Sequence, residues 1–249
     1  MSRGSPHAGD DPHADEPLAT AGTDVNAADA AVVLVHGRGA TAHSIVEFGE
    51  RIAGDGDVAL SPAASPPAVR ETSGLSLLAP QAAANTWYSN SFLAPVADNE
   101  PGRSSGLRAV GRAVEAATDA GIPTERVLVG GFSQGACLAT EFVARNPTRH
   151  GGLAVLSGGL IGESIDRGDY VSHAAAETDG DAADSLAGTP AFLGCSDVDP
   201  HIPEERVHET AAVLEALGGD VETRIYEGMG HGINEEETAY VSEMVADLA

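Results

Sequence analysis

Gly131-Phe132-Ser133-Gln134-Gly135 has the spacing G-x-S-x-G, which places a serine on a tight turn between two glycines. Such a turn lifts the hydroxyl clear of the backbone, and a helix starting just after it favours an anion at its first amides. The chemistry that fits is nucleophilic attack by the Ser133 oxygen. A serine hydroxyl is a weak nucleophile near neutral pH, so a base must lie within hydrogen-bond reach. The same spacing recurs at Gly102-Arg103-Ser104-Ser105-Gly106, so the pattern alone does not decide. Context does. Val127-Leu128-Val129 reads as a strand before Ser133 and a helical stretch follows it, whereas a polar Asp98-Asn99-Glu100-Pro101 run precedes Ser104. Ser133 is therefore the candidate nucleophile, and Ser104 or Ser105 is expected to cap a helix.

Strand, serine turn and helix in this order point to the α/β-hydrolase arrangement, where an acid and then a histidine follow the nucleophile along the chain. Of the nine histidines, His201, His208 and His231 come after a strand-end acid. His208 falls inside a helical pattern, and His201 is too close in sequence to Asp199 to serve readily as its partner. His231 stands in Gly228-Met229-Gly230-His231-Gly232, between the last strand and the last helix, and is the expected base. For the acid, Gly194-Cys195-Ser196-Asp197-Val198-Asp199-Pro200 offers Asp197 and Asp199. Either would hold His231 in one tautomer and stabilise its imidazolium form.

A tetrahedral oxyanion also needs N–H donors aimed at the developing charge. The expected donors are the backbone amides of Gln134, next after the nucleophile, and of Arg38 in the His36-Gly37-Arg38-Gly39 turn. These are main-chain roles, so they place no demand on the Arg38 and Gln134 side chains. No carboxylate or second histidine follows His36 at helical spacing, so no metal site is expected.

The elements that must position these groups can be read from periodicity. Ala31 to Val35 is a continuous apolar run suited to a buried parallel strand, followed by a helix from about Thr41 to Ala53. Ser61 to Gly74 reads as loop, and Leu75 to Ala79 as a strand. Leu107, Val110 and Val114 mark a helix face. Leu153 to Leu156, Pro190 to Gly194 and Val221 to Tyr226 read as further strands, with helices around Val207 to Leu217 and Tyr240 to Leu248. Alternation of this kind implies an α/β fold, a mainly parallel central sheet with helices on both faces. Residues 1–28, rich in Asp, Pro, Ala and Gly, are expected to be a disordered acidic leader. Residues 29–249 would form the domain, interrupted at 161–187 by an acidic loop insertion, a candidate lid.

The chain carries 38 acidic residues against 13 basic ones, for a formal charge of −25, and every basic residue is Arg. That balance opposes binding to nucleic acid or anionic membranes, which need clustered cations. The composition resembles that of proteins from salt-accumulating haloarchaea, which places the protein in a salty cytoplasm. The N-terminus has no apolar signal segment, and no stretch approaches a membrane span. Cys137 and Cys195 lie in apolar runs and are expected to be free core thiols.

Taken together, His36-Gly-Arg-Gly, Gly131-Phe-Ser-Gln-Gly-Ala136, Asp199-Pro-His-Ile-Pro203 and Gly230-His231-Gly resemble the phospholipase/carboxylesterase family of α/β hydrolases, the branch that includes acyl-protein thioesterases. The resemblance runs from about Ala30 to the C-terminus. It implies that the acid is the Asp before Pro, which selects Asp199, and that Trp87 in Asn85-Thr86-Trp87-Tyr88 walls the substrate pocket. It also implies a cofactor-free hydrolase of small-molecule esters, as monomer or homodimer, and the polar insertion at 161–187 points to short or medium acyl groups rather than phospholipids. A thioesterase, a lactone hydrolase on the same residues, and a non-catalytic binding protein are the competing readings.

Overall fold

The computed structural model describes residues 11–54, 74–178 and 185–248. Seven strands lie in one sheet: β1 (Leu18–Gly22), β2 (Ala30–Val35), β3 (Leu75–Pro80), β4 (Val127–Phe132), β5 (Gly152–Leu156), β6 (Pro190–Ser196) and β7 (Asp220–Tyr226). Their spatial order is β1-β3-β2-β4-β5-β6-β7. Only β1 is antiparallel to its neighbour; every other pair is parallel. Six α-helices are described: α1 (Ala42–Ala53), α2 (Gly102–Asp119), α3 (Gln134–Arg145), α4 (Arg167–Thr178), α5 (Glu204–Ala216) and α6 (Glu235–Ala246).

Successive side chains of a strand point to opposite faces, so an all-apolar strand must be covered on both. In β2, Ala31, Val33 and Val35 enter the core formed with α2, α3, α4 and α5. Val32 and Leu34 enter the opposite core, formed with Ile45, Val46, Phe48 and Ile52 of α1 and Val241, Met244 and Val245 of α6. This explains the unbroken apolar run at 31–35 and bears out the α/β expectation. Both cysteines are buried and free, as expected.

Three expectations need correction. The leader is not structureless in its described part, for Leu18–Gly22 pairs along β3 from Leu18 opposite Pro80 to Gly22 opposite Ser76. The reason is that β3 would otherwise present an open row of backbone donors and acceptors, which a short polar strand can satisfy without a core of its own. His13, further upstream, is buried. Residues 1–10 lie outside the described residues.

The acidic segment 161–187 contains a helix, α4, rather than being a loop throughout. Tyr170 and Ala174 are buried against the core on its inner face, and Asp169 is exposed. Two apolar anchors in so acidic a stretch give little periodic signal. Residues 179–184 lie outside the described residues, as do 61–73 of the expected loop.

Neither Ser104 nor Ser105 caps α2, which starts at Gly102 after Pro101. Glu100 does that work, its carboxylate accepting the Ser104 amide at 3.0 Å. Ser105 lies buried inside the helix and accepts the His13 amide at 2.9 Å. The second G-x-S-x-G is thus helical sequence packed against the N-terminal segment.

Candidate active site

Each candidate group is delivered by a segment just beyond the carboxyl end of a strand: Arg38 after β2, Ser133 after β4, Asp199 after β6 and His231 after β7. Parallel strands make these ends neighbours, and ligand clefts of open α/β sheets form there. Four segments distant in sequence therefore converge at one edge.

Ser133 sits at φ 56°, ψ −121°, a conformation costly for any residue with a Cβ. The turn holds because the chain around it is packed too closely to relax. A Cβ on Gly131 would stand 2.6 Å from the Val35 carbonyl oxygen, and one on Gly135 would overlap that same carbonyl. The Ser133 amide donates to Leu156 O at 2.9 Å, and Cys137 N–H donates back to Ser133 O at 3.0 Å as α3 begins.

His231 Nε2 lies 2.9 Å from Ser133 Oγ, and its Nδ1 lies 2.7 Å from Asp199 Oδ2. The turn carrying it has Gly228 and Gly230 at positive φ, 67° and 76°. Several polar groups fix that turn. Gly228 N–H donates to Asp197 Oδ1 at 2.7 Å, Gly230 N–H to Ser196 Oγ at 3.0 Å, and Ser157 Oγ donates to Gly232 O at 3.2 Å. Asn234 and Glu237 then cap α6 reciprocally. The rings of Phe132 and His201 both pack on His231 with centroids 4.9 Å away.

The two aspartates separate cleanly. Asp197 braces the histidine turn through the Gly228 amide, whereas the Asp199 carboxylate faces His231. Asp199 Oδ1 accepts the amides of His201 and Ile202 at 2.8 and 3.1 Å. Burial by itself raises the Asp199 pKa, but the hydrogen bonds from His231 and from those two amides outweigh it. The carboxyl is held below its ordinary range and stays ionised beside the imidazole.

The Gln134 amide opens α3, where the first N–H groups of a helix lack intrahelical acceptors. The turn bearing Arg38 is closed by Gly39 N–H to Asn85 O at 2.7 Å and Ala40 N–H to Gly37 O at 3.1 Å. The side chains of both residues also have work, which the sequence reading did not anticipate. Gln134 accepts the Trp87 amide at 3.0 Å and donates to Tyr88 O at 2.8 Å. The Arg38 guanidinium donates to the carbonyls of Tyr88, Ser89 and Asn90. Together they pin the 87–90 segment beside Ser133.

Trp87 is wholly buried and does not line the cleft, so its expected role as a substrate wall is corrected. Its indole N–H donates to His36 O at 2.8 Å, and its ring packs between those of His13 and His36. A large ring with one polar edge gains more under the loop, where its N–H has a partner, than at a wet surface. His36 is a brace as well. Its Nε2 accepts the Ala82 amide at 3.1 Å, which puts the proton on Nδ1, and that donates to Gly37 O at 2.9 Å. Among the described residues no group of three His, Cys, Asp or Glu could hold a metal ion.

Ser133 and His231 open into a cleft of about 550 Å³, walled by Tyr88, Phe92, Leu93 and Ile202 and rimmed by Arg38 and His201. Phe92 and Leu93 are lining residues that sequence reasoning did not mark, because the stretch around them lacks periodicity. The apolar pair Phe92-Leu93 inside a polar run was the available signal.

Sheet order, serine turn and site position define an α/β hydrolase. The model of the phospholipase/carboxylesterase family matches residues 22–248, and the chain belongs to that family. A phospholipase/carboxylesterase structure from Dyadobacter fermentans superposes with a TM-score of 0.77 at 33% identity, covering 93% of this chain and 97% of that one. Acyl-protein thioesterase 1 of Candida albicans is 32% identical over 130 residues, 51% of this chain and 52% of the relative. That of Gibberella zeae is 34% identical over 119 residues, 48% and 46% of the two chains. The chain thus spans about half the length of these curated relatives. No helix among the described residues is long and apolar enough to cross a membrane.

Proposed function

We propose that this protein hydrolyses small-molecule carboxylic esters through an acyl-enzyme, with Ser133 as nucleophile, His231 as general base and acid, and Asp199 orienting the histidine. The observation that carries this is the unbroken hydrogen-bonded line from Ser133 Oγ through His231 to Asp199, at 2.9 and 2.7 Å. In the first half-reaction His231 Nε2 takes the Ser133 proton as Oγ bonds to the ester carbonyl carbon. The carbonyl oxygen becomes an oxyanion, for which the Arg38 and Gln134 amides are the donors. Collapse expels the alcohol, which takes the proton from His231. Water then repeats the sequence on the acyl-enzyme, releasing the acid and restoring Ser133.

The cleft volume suits short to medium acyl groups. Thioesters are a second substrate class for the same residues, favoured by the similarity to acyl-protein thioesterases. The chemistry needs no cofactor. The excess of acid over base, 38 to 13, fits a soluble protein of a salty cytoplasm that binds neither nucleic acid nor membrane.

The test is hydrolysis of p-nitrophenyl esters of increasing acyl length in molar KCl by wild type and Ser133→Ala. Turnover by wild type and its loss in the variant are expected. Equal turnover by both would remove Ser133 from the mechanism. If neither is active, labelling by a serine-reactive phosphonate distinguishes a narrower enzyme from a binding protein.

A further inference from the structure

We propose that the cleft selects esters bearing a carboxylate, and that the Arg38 guanidinium recognises it. This rests on the hydrolase reading above and extends it to a substrate class. The first observation is one of charge. The chain carries nearly three acids for each base, yet among the described residues no Asp or Glu lines the cleft, and Arg38 is the one permanently charged lining residue. In so acidic a chain, the described cleft lining thus carries a fixed positive charge and no carboxylate of its own.

The second observation is how that arginine is held. Several other arginines pair with carboxylates, as Arg103 does with Glu141 and Arg206 with Glu209, while the surface residues Arg126, Arg149 and Arg167 have no such pair among the described residues. Among the described residues no carboxylate lies within ion-pair distance of Arg38. Its guanidinium instead donates to three carbonyls, Tyr88 at 2.9 Å, Ser89 at 3.0 Å and Asn90 at 2.7 Å. Carbonyl dipoles orient a guanidinium without neutralising its charge. A guanidinium has five N–H donors, so two have no acceptor among the described residues and can serve a ligand. The side chain is already fixed at the rim in the free protein, so binding an anion costs little further ordering.

The third observation is the division of the walls. Phe92, Leu93 and Ile202 give an apolar surface, while Ser89 and Asn90 continue the polar rim from Arg38. A short apolar spacer ending in a carboxylate matches that sequence of surfaces better than a long uncharged tail. At molar salt the repulsion from the acidic surface is screened within about 3 Å. Recognition then falls to groups in contact, and a guanidinium–carboxylate hydrogen bond is among the strongest of these.

Paired substrates test this in molar KCl. On the acyl side, mono-p-nitrophenyl glutarate is compared with p-nitrophenyl pentanoate. On the alcohol side, 4-(butanoyloxy)benzoate is compared with its methyl ester. In at least one pair kcat/KM is expected to favour the charged member by roughly tenfold or more, the scale of one hydrogen bond between charged groups. Arg38→Gln should bring that ratio to about one, and Arg38→Lys should restore part of it. The ratio is the readout, because Arg38 also supports the 88–90 segment and its loss will slow neutral esters too. Equal or better use of the neutral member in both pairs overturns the proposal, as does a preference that survives Arg38→Gln. Neutral esters cleaved by wild type but not by Ser133→Ala would leave the hydrolase reading standing in that case. If no ester is cleaved, calorimetric titration of Ser133→Ala with monomethyl glutarate decides. Binding lost on adding Arg38→Gln supports anion recognition, and absence of binding overturns it.

Discussion

Asp199 and His231 meet at 2.7 Å, the carboxylate side chain fully enclosed and the imidazole one-fifth exposed toward the cleft. An enclosed, ionised carboxylate whose second oxygen already accepts two amides has no freedom to turn away, so it dictates the tautomer of the ring before it. Asp199→Asn keeps the shape but offers an amide N–H where an acceptor is needed. We expect kcat to fall by about 10⁴, the scale seen for this exchange in serine hydrolases. Asp197→Asn retains an oxygen for the Gly228 amide and should cost less than about tenfold. Steady-state rates on one p-nitrophenyl ester check both. The reverse ranking would show that the acid is Asp197.

Two buried groups pull the pH dependence of stability in opposite directions. Burial pushes His150 down to about 4, against weaker opposing pulls from the Asn146 backbone and Glu125. Unfolding restores its ordinary pKa near 6.5, so the unfolded chain binds the proton first and stability falls as pH drops through that window. Burial pushes Glu237 up to about 7, only partly offset by the Asn234 amide. Here the folded state holds the proton and stability falls as pH rises from about 4.5 to 7. Each effect is of order 3 kcal/mol, and they cancel where the windows overlap. Denaturant midpoints between pH 4.5 and 6.5 should therefore change little in wild type. His150→Leu should leave a profile that declines with pH, and Glu237→Gln one that rises. A steep wild-type profile with unchanged variants would contradict this.

With 38 acids and 13 bases, crowding of like charge opposes folding at low salt. The melting temperature should climb as KCl goes from millimolar to molar. A fall over that range would mean that salt is not the condition to which this surface is suited.

His13 ties the N-terminal segment to the floor of the site. Its ring accepts the Ala83 amide at 3.0 Å on Nδ1, which places the proton on Nε2 for donation to Trp87 O at 2.9 Å. His13→Ala leaves the buried Trp87 carbonyl without its partner, at a cost of about 1–3 kcal/mol, and frees the half-buried Ala83 amide at a smaller one. Urea denaturation should register the loss, and kcat should fall with it, because Trp87 continues into the segment that walls the cleft. Unchanged stability would show that water replaces the ring.

What the sequence disclosed followed from strong periodicity and from glycines. Residues 31–35 announced a strand buried on both faces, and Ser133 and His231 stood between glycines in turns after strands, where a side chain can be presented above a sheet. Asp199 needed the family pattern, because Asp197 has the same local context and only the fold shows which carboxylate faces the ring. Trp87 was misjudged for a related reason. An aromatic beside a site serves equally well as wall or floor, and the choice depends on where its N–H finds an acceptor. Residues 18–22 gave no hint of a strand, because their partner is the edge of β3, from Ser76 to Pro80, in a register that no local pattern records.

That edge strand bears on how the protein can be produced. The family match begins at residue 22, the last residue of β1. A shortened gene trimmed to that boundary would omit most of the strand along with His13. The bared edge of β3 would then offer an unpaired row of backbone groups to the next molecule, which is how sheets polymerise. Poor yield or aggregation of such a trimmed version would reflect a missing strand rather than an unstable family fold.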